Sequence, residues 1–192
     1  YKKKIFDIVI FGSGLTAKTM SLVARNLELS FKCIDNKNYN NETKEDTRSL
    51  ALSVSSKKML HTLGVKLKAK AVKKMVVIEG GLGEEKVKSM LTFDSNLTDE
   101  DIAFIAEYST IEQSIEDTLK IKKNEITQEE VSCINKELDY SKITFTNKKS
   151  IFAKTIIFTE LLDFKLQKIY NVKYNFSEYG QTAISATLRH TK

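Results

Sequence analysis

The sequence predicts an α/β chain: a βαβ layer of parallel strands interrupted by a β-rich insertion whose own sheet is incomplete. Three observations predict it. The run Ile5 to Phe11 is apolar and β-branched over a length that suits a buried parallel strand. A glycine-rich turn and a helix-like segment follow it, and a second short apolar run, Phe31 to Ile34, closes the unit. Further on, two β-rich runs flank the cluster Gly80-Gly81-Leu82-Gly83, which reads as a hairpin turn because it joins strand to strand and lacks a following Lys-Ser/Thr.

The first unit carries the most information. Gly12-Ser13-Gly14-Leu15-Thr16-Ala17 has the G-x-G-x-x-G/A spacing of a dinucleotide fingerprint, with a strand before it and a helix to about Leu29 after it. Gly12 permits the tight turn, Gly14 lets a pyrophosphate approach the backbone, and Ala17 keeps the helix close to the sheet. The helix N-terminus offers N–H groups and partial positive charge to phosphates. Asp35, 23 positions after Gly12, ends the second strand where a carboxylate can accept hydrogen bonds from a ribose. The alternative is a glycine turn that merely joins strand to helix. The complete setting favours nucleotide binding, and the fingerprint does not separate FAD from NAD.

The totals exclude several classes. A chain of 192 residues with 41% hydrophobic and 29% charged residues is that of an ordinary globular protein with a real core. No apolar run approaches the ~20 residues of a membrane span, and no secretory signal is visible at the start, which lacks an initiating Met. The net charge of +6 comes without a basic stripe interleaved with aromatics, so no nucleic-acid partner is expected. Lys2-Lys3-Lys4 is a short basic arm able to touch an anionic membrane. Cys33 and Cys133 fall inside predicted strands and read as small core residues of a reducing cytoplasm. The chain has no proline.

From Asn36 to Asp46 the chain is a polar loop. A helix is expected around Ser55 to Leu63, capped by Ser55 or Ser56, stopped by Gly64, and apolar at Met59, Leu60 and Leu63. His61 lies beside that face with no partner at metal spacing and reads as structural. Met75–Glu79 and Ser89–Asp94 are predicted strands, Ala103–Ala106 is a short apolar piece, and Ile111, Ile115, Thr118 and Leu119 mark an amphipathic helix over about Ser109 to Ile121. Strands follow at Glu130–Lys136, Lys142–Thr146 and Phe152–Thr159, and Tyr179 to Leu188 alternates like a strand of the second sheet.

Three stretches together resemble one family: the Gly12–Asp35 fingerprint, Arg48-Ser49-Leu50-Ala51-Leu52-Ser53, and Tyr179-Gly180-Gln181-Thr182-Ala183-Ile184. In this order and at about these separations the chain is similar to the first half of the flavin-dependent ubiquinone-biosynthesis hydroxylases, relatives of para-hydroxybenzoate hydroxylase. The resemblance implies a Rossmann-like FAD-binding domain over 1–74 and 107–170, with 75–106 and 171–192 in a substrate-binding β-sheet. It implies an FAD-dependent aromatic monooxygenase in which NAD(P)H reduces the flavin and one atom of O₂ passes to a polyprenylated phenol. Gly12, Gly14 and Ala17 would then hold the pyrophosphate, Asp35 the adenosine ribose, and Arg48 would lie near the cofactor as a phosphate-pairing guanidinium. It further implies a hydrophobic aromatic quinone precursor as substrate, a cytoplasmic location, peripheral to the inner membrane at most, and as partner either a chain supplying the missing half or other quinone-synthesis proteins.

The departures from the family are specific. Ser109 stands where the family carries an arginine near FAD, and Thr159-Glu160-Leu161-Leu162 stands where it carries a glycine turn against the flavin. These point to a truncated or divergent form with little activity alone. The other reading is a nonenzymatic nucleotide-binding or assembly module derived from the family. An NAD-dependent dehydrogenase fits the fingerprint and leaves the Arg48 and Tyr179 stretches unexplained.

Overall fold

The structure, a computed structural model, describes residues 4–35, 48–79, 89–97, 100–120, 125–162 and 164–182. It falls into two compact units, Tyr1–Thr159 and Glu160–Lys192.

In the first unit β1 (Ile5–Phe11) leads through Gly12–Gly14 into α1 (Leu15–Asn26) and on to β2 (Phe31–Ile34). The expected unit is therefore present, with α1 shorter than the sequence suggests. The chain leaves the helix because Glu28 adopts a left-handed conformation, φ 56°. Its N–H donates to the Arg25 carbonyl, and that of Leu29 to Ala24 O at 2.9 Å. This is a Schellman closure with glutamate in glycine's usual place, which the residue types do not announce.

β3 (Ser49–Leu52), α2 (Val54–Thr62), β4 (Lys70–Val72), β5 (Lys74–Glu79), β6 (Ser89–Asp94) and β7 (Ala103–Glu107) come next. The cap of α2 is Ser53, whose side chain accepts from Ser56 N, so neither Ser55 nor Ser56 holds that role. Gly64, φ 87°, closes α2 as expected, with Val65 N donating to Leu60 O. Leu60 is buried, whereas Met59 is half exposed and His61 faces solvent.

α3 (Tyr108–Leu119) buries Ile111, Ile115 and Leu119 on one side. β8 (Ile126–Thr127), β9 (Val131–Lys136), β10 (Ser141–Phe145) and β11 (Ser150–Phe158) complete the unit. β4 and β8 are strands of three and two residues, too short to leave a periodic signal.

Among the described residues the strands form three sheets. The largest has the order β8-β2-β1-β11-β10-β9. Its parallel half joins β8, β2, β1 and β11, and β10 and β9 return antiparallel. A second sheet runs β3-β7-β4, and β5 and β6 make a two-stranded ribbon. The Gly80–Gly83 turn lies outside the described residues, but the antiparallel pairing of the strands on either side of it agrees with a hairpin. The main core lies between the sheet and helices α1 and α3, where Ile10, Leu22, Ala24, Ile111, Ile115 and Leu119 are at most 2% exposed.

Asp7 ties the central strand of the sheet to both of its neighbours. Its carboxylate accepts from Lys154 Nζ at 2.7 Å and from the hydroxyl and N–H of Ser30 at 2.7 and 2.9 Å. The Lys154 ammonium, with Ser30 adding to it, holds this carboxyl well below the usual carboxylate range. A depressed folded-state pKa contributes stability above the unfolded value of about 4, and that stability is lost as pH falls through the folded value. Asp7→Asn is thus expected to be less stable than the parent at pH 7, with the difference narrowing below about pH 4. Urea titrations at pH 7 and pH 3 check this; a difference unchanged by pH removes the ion pair as its cause.

In the second unit α4 (Phe164–Tyr170) is closed by Asn171 at φ 51°, with Val172 N donating to Gln167 O. Tyr179 to Thr182 are exposed and outside any strand, which corrects the expectation of a strand beginning at Tyr179. Ala183 to Leu188 lie outside the described residues, as do Asn36 to Asp46 and Lys2-Lys3.

Candidate functional site

β1 lies between β2 on one side and β11 on the other, so the sheet order reverses at its carboxyl end. A crevice at such a switch point is where open α/β sheets take ligands. A cleft of about 210 Å³ opens here, lined by Gly12, Ser13, Ala17 and Lys18, by Cys33 and Asp35 of the β2 side, and by Glu112 and Glu116 of α3.

Each fingerprint residue has a local cause for its position. Gly12 takes φ 127°, outside the range of residues with a Cβ, and its N–H donates to Ile34 O at 2.9 Å. Gly14 is the N-cap of α1, extended at φ −73°, ψ −174°. No side chain caps α1 and no acidic residue occupies its first turn, so the positive end of the helix is not neutralised by its own side chains. Ala17, 1% exposed, fits where a larger side chain would push helix from sheet. Asp35 is 7% exposed; its N–H donates to Thr127 O at 2.8 Å, and its carboxylate has no hydrogen-bond or salt-bridge partner among the described residues. No side-chain oxygen among the described residues is both buried and without a partner, so the Asp35 carboxylate is open to the cleft, where it can accept hydrogen bonds.

Sequence reasoning missed the other polar groups of the cleft. Lys18 Nζ lies 2.5 Å from Glu112 Oε1 and 2.5 Å from Glu116 Oε1. Burial alone would pull the Lys18 ammonium down, but the two hydrogen-bonded glutamates outweigh it and raise its pKa. Glu112 and Glu116 stand four apart on one face of α3, a spacing visible in the sequence; that this face meets Lys18 follows only from the packing of α1 on α3. Deeper in, Ser21 Oγ lies 3.0 Å from Cys33 Sγ and bonds to Ala17 O at 2.9 Å. Burial pushes the Cys33 thiol up, so it remains a thiol.

Arg48 is not among the residues lining this cleft. It is exposed, its guanidinium stands 5.6 Å from the ring centre of Tyr108, and its carbonyl accepts from Tyr108 N at 2.8 Å. That puts a cation beside the N-terminus of α3, next to Ser109. At the end of β11, Thr159 bonds through both its N–H and its hydroxyl to Phe11 O, at 3.0 and 2.8 Å, directly before the Gly12 turn. Among the described residues no cluster of His, Cys, Asp and Glu could hold a metal ion, and no helix is long and apolar enough to cross a membrane.

The residues present fit the adenosine and pyrophosphate end of FAD. The N-terminus of α1, with no side-chain cap, and the Gly12-Ser13-Gly14 turn suit the phosphates, and the Asp35 carboxylate suits two ribose hydroxyls.

No protein-family model matches the chain, and no curated protein matches it. Solved structures do. The p-nitrophenol 4-monooxygenase PnpA of Pseudomonas putida DLL-E4 aligns with a TM-score of 0.68 at 14% identity, over 90% of this chain and 45% of that one. The 2,6-dihydroxypyridine-3-hydroxylase of Arthrobacter nicotinovorans gives 0.57 at 12% identity, over 81% and 37%. A flavoprotein/dehydrogenase of Cytophaga hutchinsonii gives 0.60 at 11% identity, over 88% and 42%. The α/β, Rossmann-like fold is thus shared with a solved monooxygenase, a hydroxylase and a flavoprotein/dehydrogenase, and the chain spans less than half the length of each of these structures.

Proposed function

We propose that the cleft at the end of β1 binds FAD and that the chain is the cofactor-binding part of a flavin-dependent aromatic monooxygenase. The observation that carries this reading is the Asp35 carboxylate just past β2, which lines the same cleft as Gly12 and Ser13 of the turn into α1 and is open to it. The fold shared with aromatic hydroxylases favours FAD over a nicotinamide dinucleotide as the ligand.

In this reading the α1 N-terminus and the backbone of Gly12 to Gly14 receive the pyrophosphate, and Asp35 accepts from the adenosine ribose. Arg48, beside Ser109 at the start of α3, supplies the positive charge that Ser109 cannot. Bound flavin would supply the redox and oxygen chemistry, with NAD(P)H as donor. The finer assignment follows the sequence resemblance: ring hydroxylation of a polyprenylated phenol in ubiquinone biosynthesis. This polypeptide alone is proposed to turn over little or nothing, because Ser109 and Thr159-Glu160-Leu161-Leu162 stand where the resembled family carries an arginine and a glycine turn against the flavin.

The test is the visible absorbance of the purified chain, with FAD titrated in if it is colourless. Saturable flavin binding at one per chain is expected, and Asp35→Ala should weaken it by roughly 10- to 100-fold, the worth of hydrogen bonds to a charged acceptor. A protein that ignores FAD removes the proposal.

A further inference from the structure

The cleft holds a group of charges that the glycine fingerprint does not call for. Lys18 stands on α1 one turn beyond Gly14, its N–H donating to Gly14 O at 3.0 Å. A lysine at that remove from a helix N-terminus is well placed to help hold a phosphate. Here its ammonium is engaged by α3 instead, 2.5 Å from Glu112 Oε1 and 2.5 Å from Glu116 Oε1. The carboxylates are the more open members of the group: the Lys18 side chain is 19% exposed, against 33% for Glu112 and 45% for Glu116. All three residues belong to the first unit and satisfy one another within it.

Asp35 brings a third carboxylate to the same cleft, and no other described residue lining it is acidic or basic. One cation thus stands against three carboxylates. In the proposed complex the attraction for phosphate comes from the backbone at the start of α1, a helix end worth about half a unit charge. That suits the pyrophosphate of a dinucleotide, which is a diester. It suits a free nucleotide less, because near pH 7 a terminal phosphate gives ADP about one further negative charge and ATP about two.

We propose that Lys18, Glu112 and Glu116 form a charge filter by which the cleft selects a dinucleotide and rejects free ADP and ATP. This rests on the reading of the cleft as the seat of the adenosine and pyrophosphate of FAD. ADP and ATP offer the same adenosine and the same pair of phosphates, so those contacts do not separate them from a dinucleotide. Charge does. Each added negative charge is repelled by Glu112 and Glu116, and the ammonium that could answer it is already held by both. A plain staple between α1 and α3 would behave differently. Broken from either side, a staple loosens the cleft and weakens every ligand alike. A filter responds in opposite directions to the loss of its cation and of its carboxylates, and only toward charged ligands.

The experiment is titration calorimetry of the purified chain with adenosine, ADP, ATP and FAD. It compares the parent with Lys18→Met and with the double change Glu112→Gln and Glu116→Gln. The Gln pair should tighten ATP roughly 10-fold and narrow its gap to FAD, while Lys18→Met should weaken ATP roughly 10-fold. Both differences should shrink as salt rises. Adenosine, which is uncharged, should bind all three chains alike. A Gln pair that leaves ATP unchanged or weakens it overturns the filter, and so does one that shifts adenosine as much as ATP; FAD binding by the parent would still stand in either case. A parent that binds neither adenosine nor FAD removes the reading of the cleft and the filter with it. If Lys18→Met does not fold, the Gln pair decides alone.

Discussion

Gly12→Val is expected to abolish measurable FAD binding, lowering affinity by at least about 100-fold. The effect has two parts. At φ 127° a residue with a Cβ is strained, which costs of order 1–3 kcal/mol of stability. The added side chain also stands at the turn whose backbone approaches the pyrophosphate in the proposed complex. Losing two charge-assisted hydrogen bonds at about 1.5–3 kcal/mol each corresponds to a 10²- to 10⁴-fold weaker complex. Flavin fluorescence quenching reads the affinity and a denaturant titration reads the stability. Tight binding by a destabilised variant would show that the turn shapes the fold and does not cradle phosphate.

Ile10→Ala is expected to cost about 2–5 kcal/mol of stability, a large share of what a domain of this size commands. Ile10 is 0% exposed and belongs to the core cluster, one residue from Phe11, the last residue of β1 before the turn. Truncation leaves a cavity that the paired neighbours Cys33 and Ile157 cannot fill without breaking register on both sides of the strand. Chemical denaturation gives the number. A loss below about 1 kcal/mol would mean that the core collapses around the gap.

How far the sequence reveals this molecule depends on how local each feature is. β1, the Gly12 turn and β2 are adjacent in sequence and carry their own periodicity, so their bounds and their order are readable. Tyr179 to Leu188 alternates like a strand, but a strand needs a neighbour to pair with and Tyr179 to Thr182 have none among the described residues. The cleft divides in the same way. Gly12, Ala17 and Asp35 follow from spacing, whereas Lys18 meeting Glu112 joins residues 94 apart and depends on how two helices pack.

The parallel pairing of β1 with β11 sets the order in which the chain can mature on the ribosome. Asp7 and Lys154, which bind across this pair, are 147 residues apart. At roughly 5–20 residues per second, one edge of β1 waits on the order of ten to thirty seconds for its partner to be synthesised. During that wait the central strand of the sheet presents an apolar, unpaired border, flanked only by the early-made β2. Nascent chains halted before Ser150 should therefore depend on chaperones in a way that chains released after Phe158 do not.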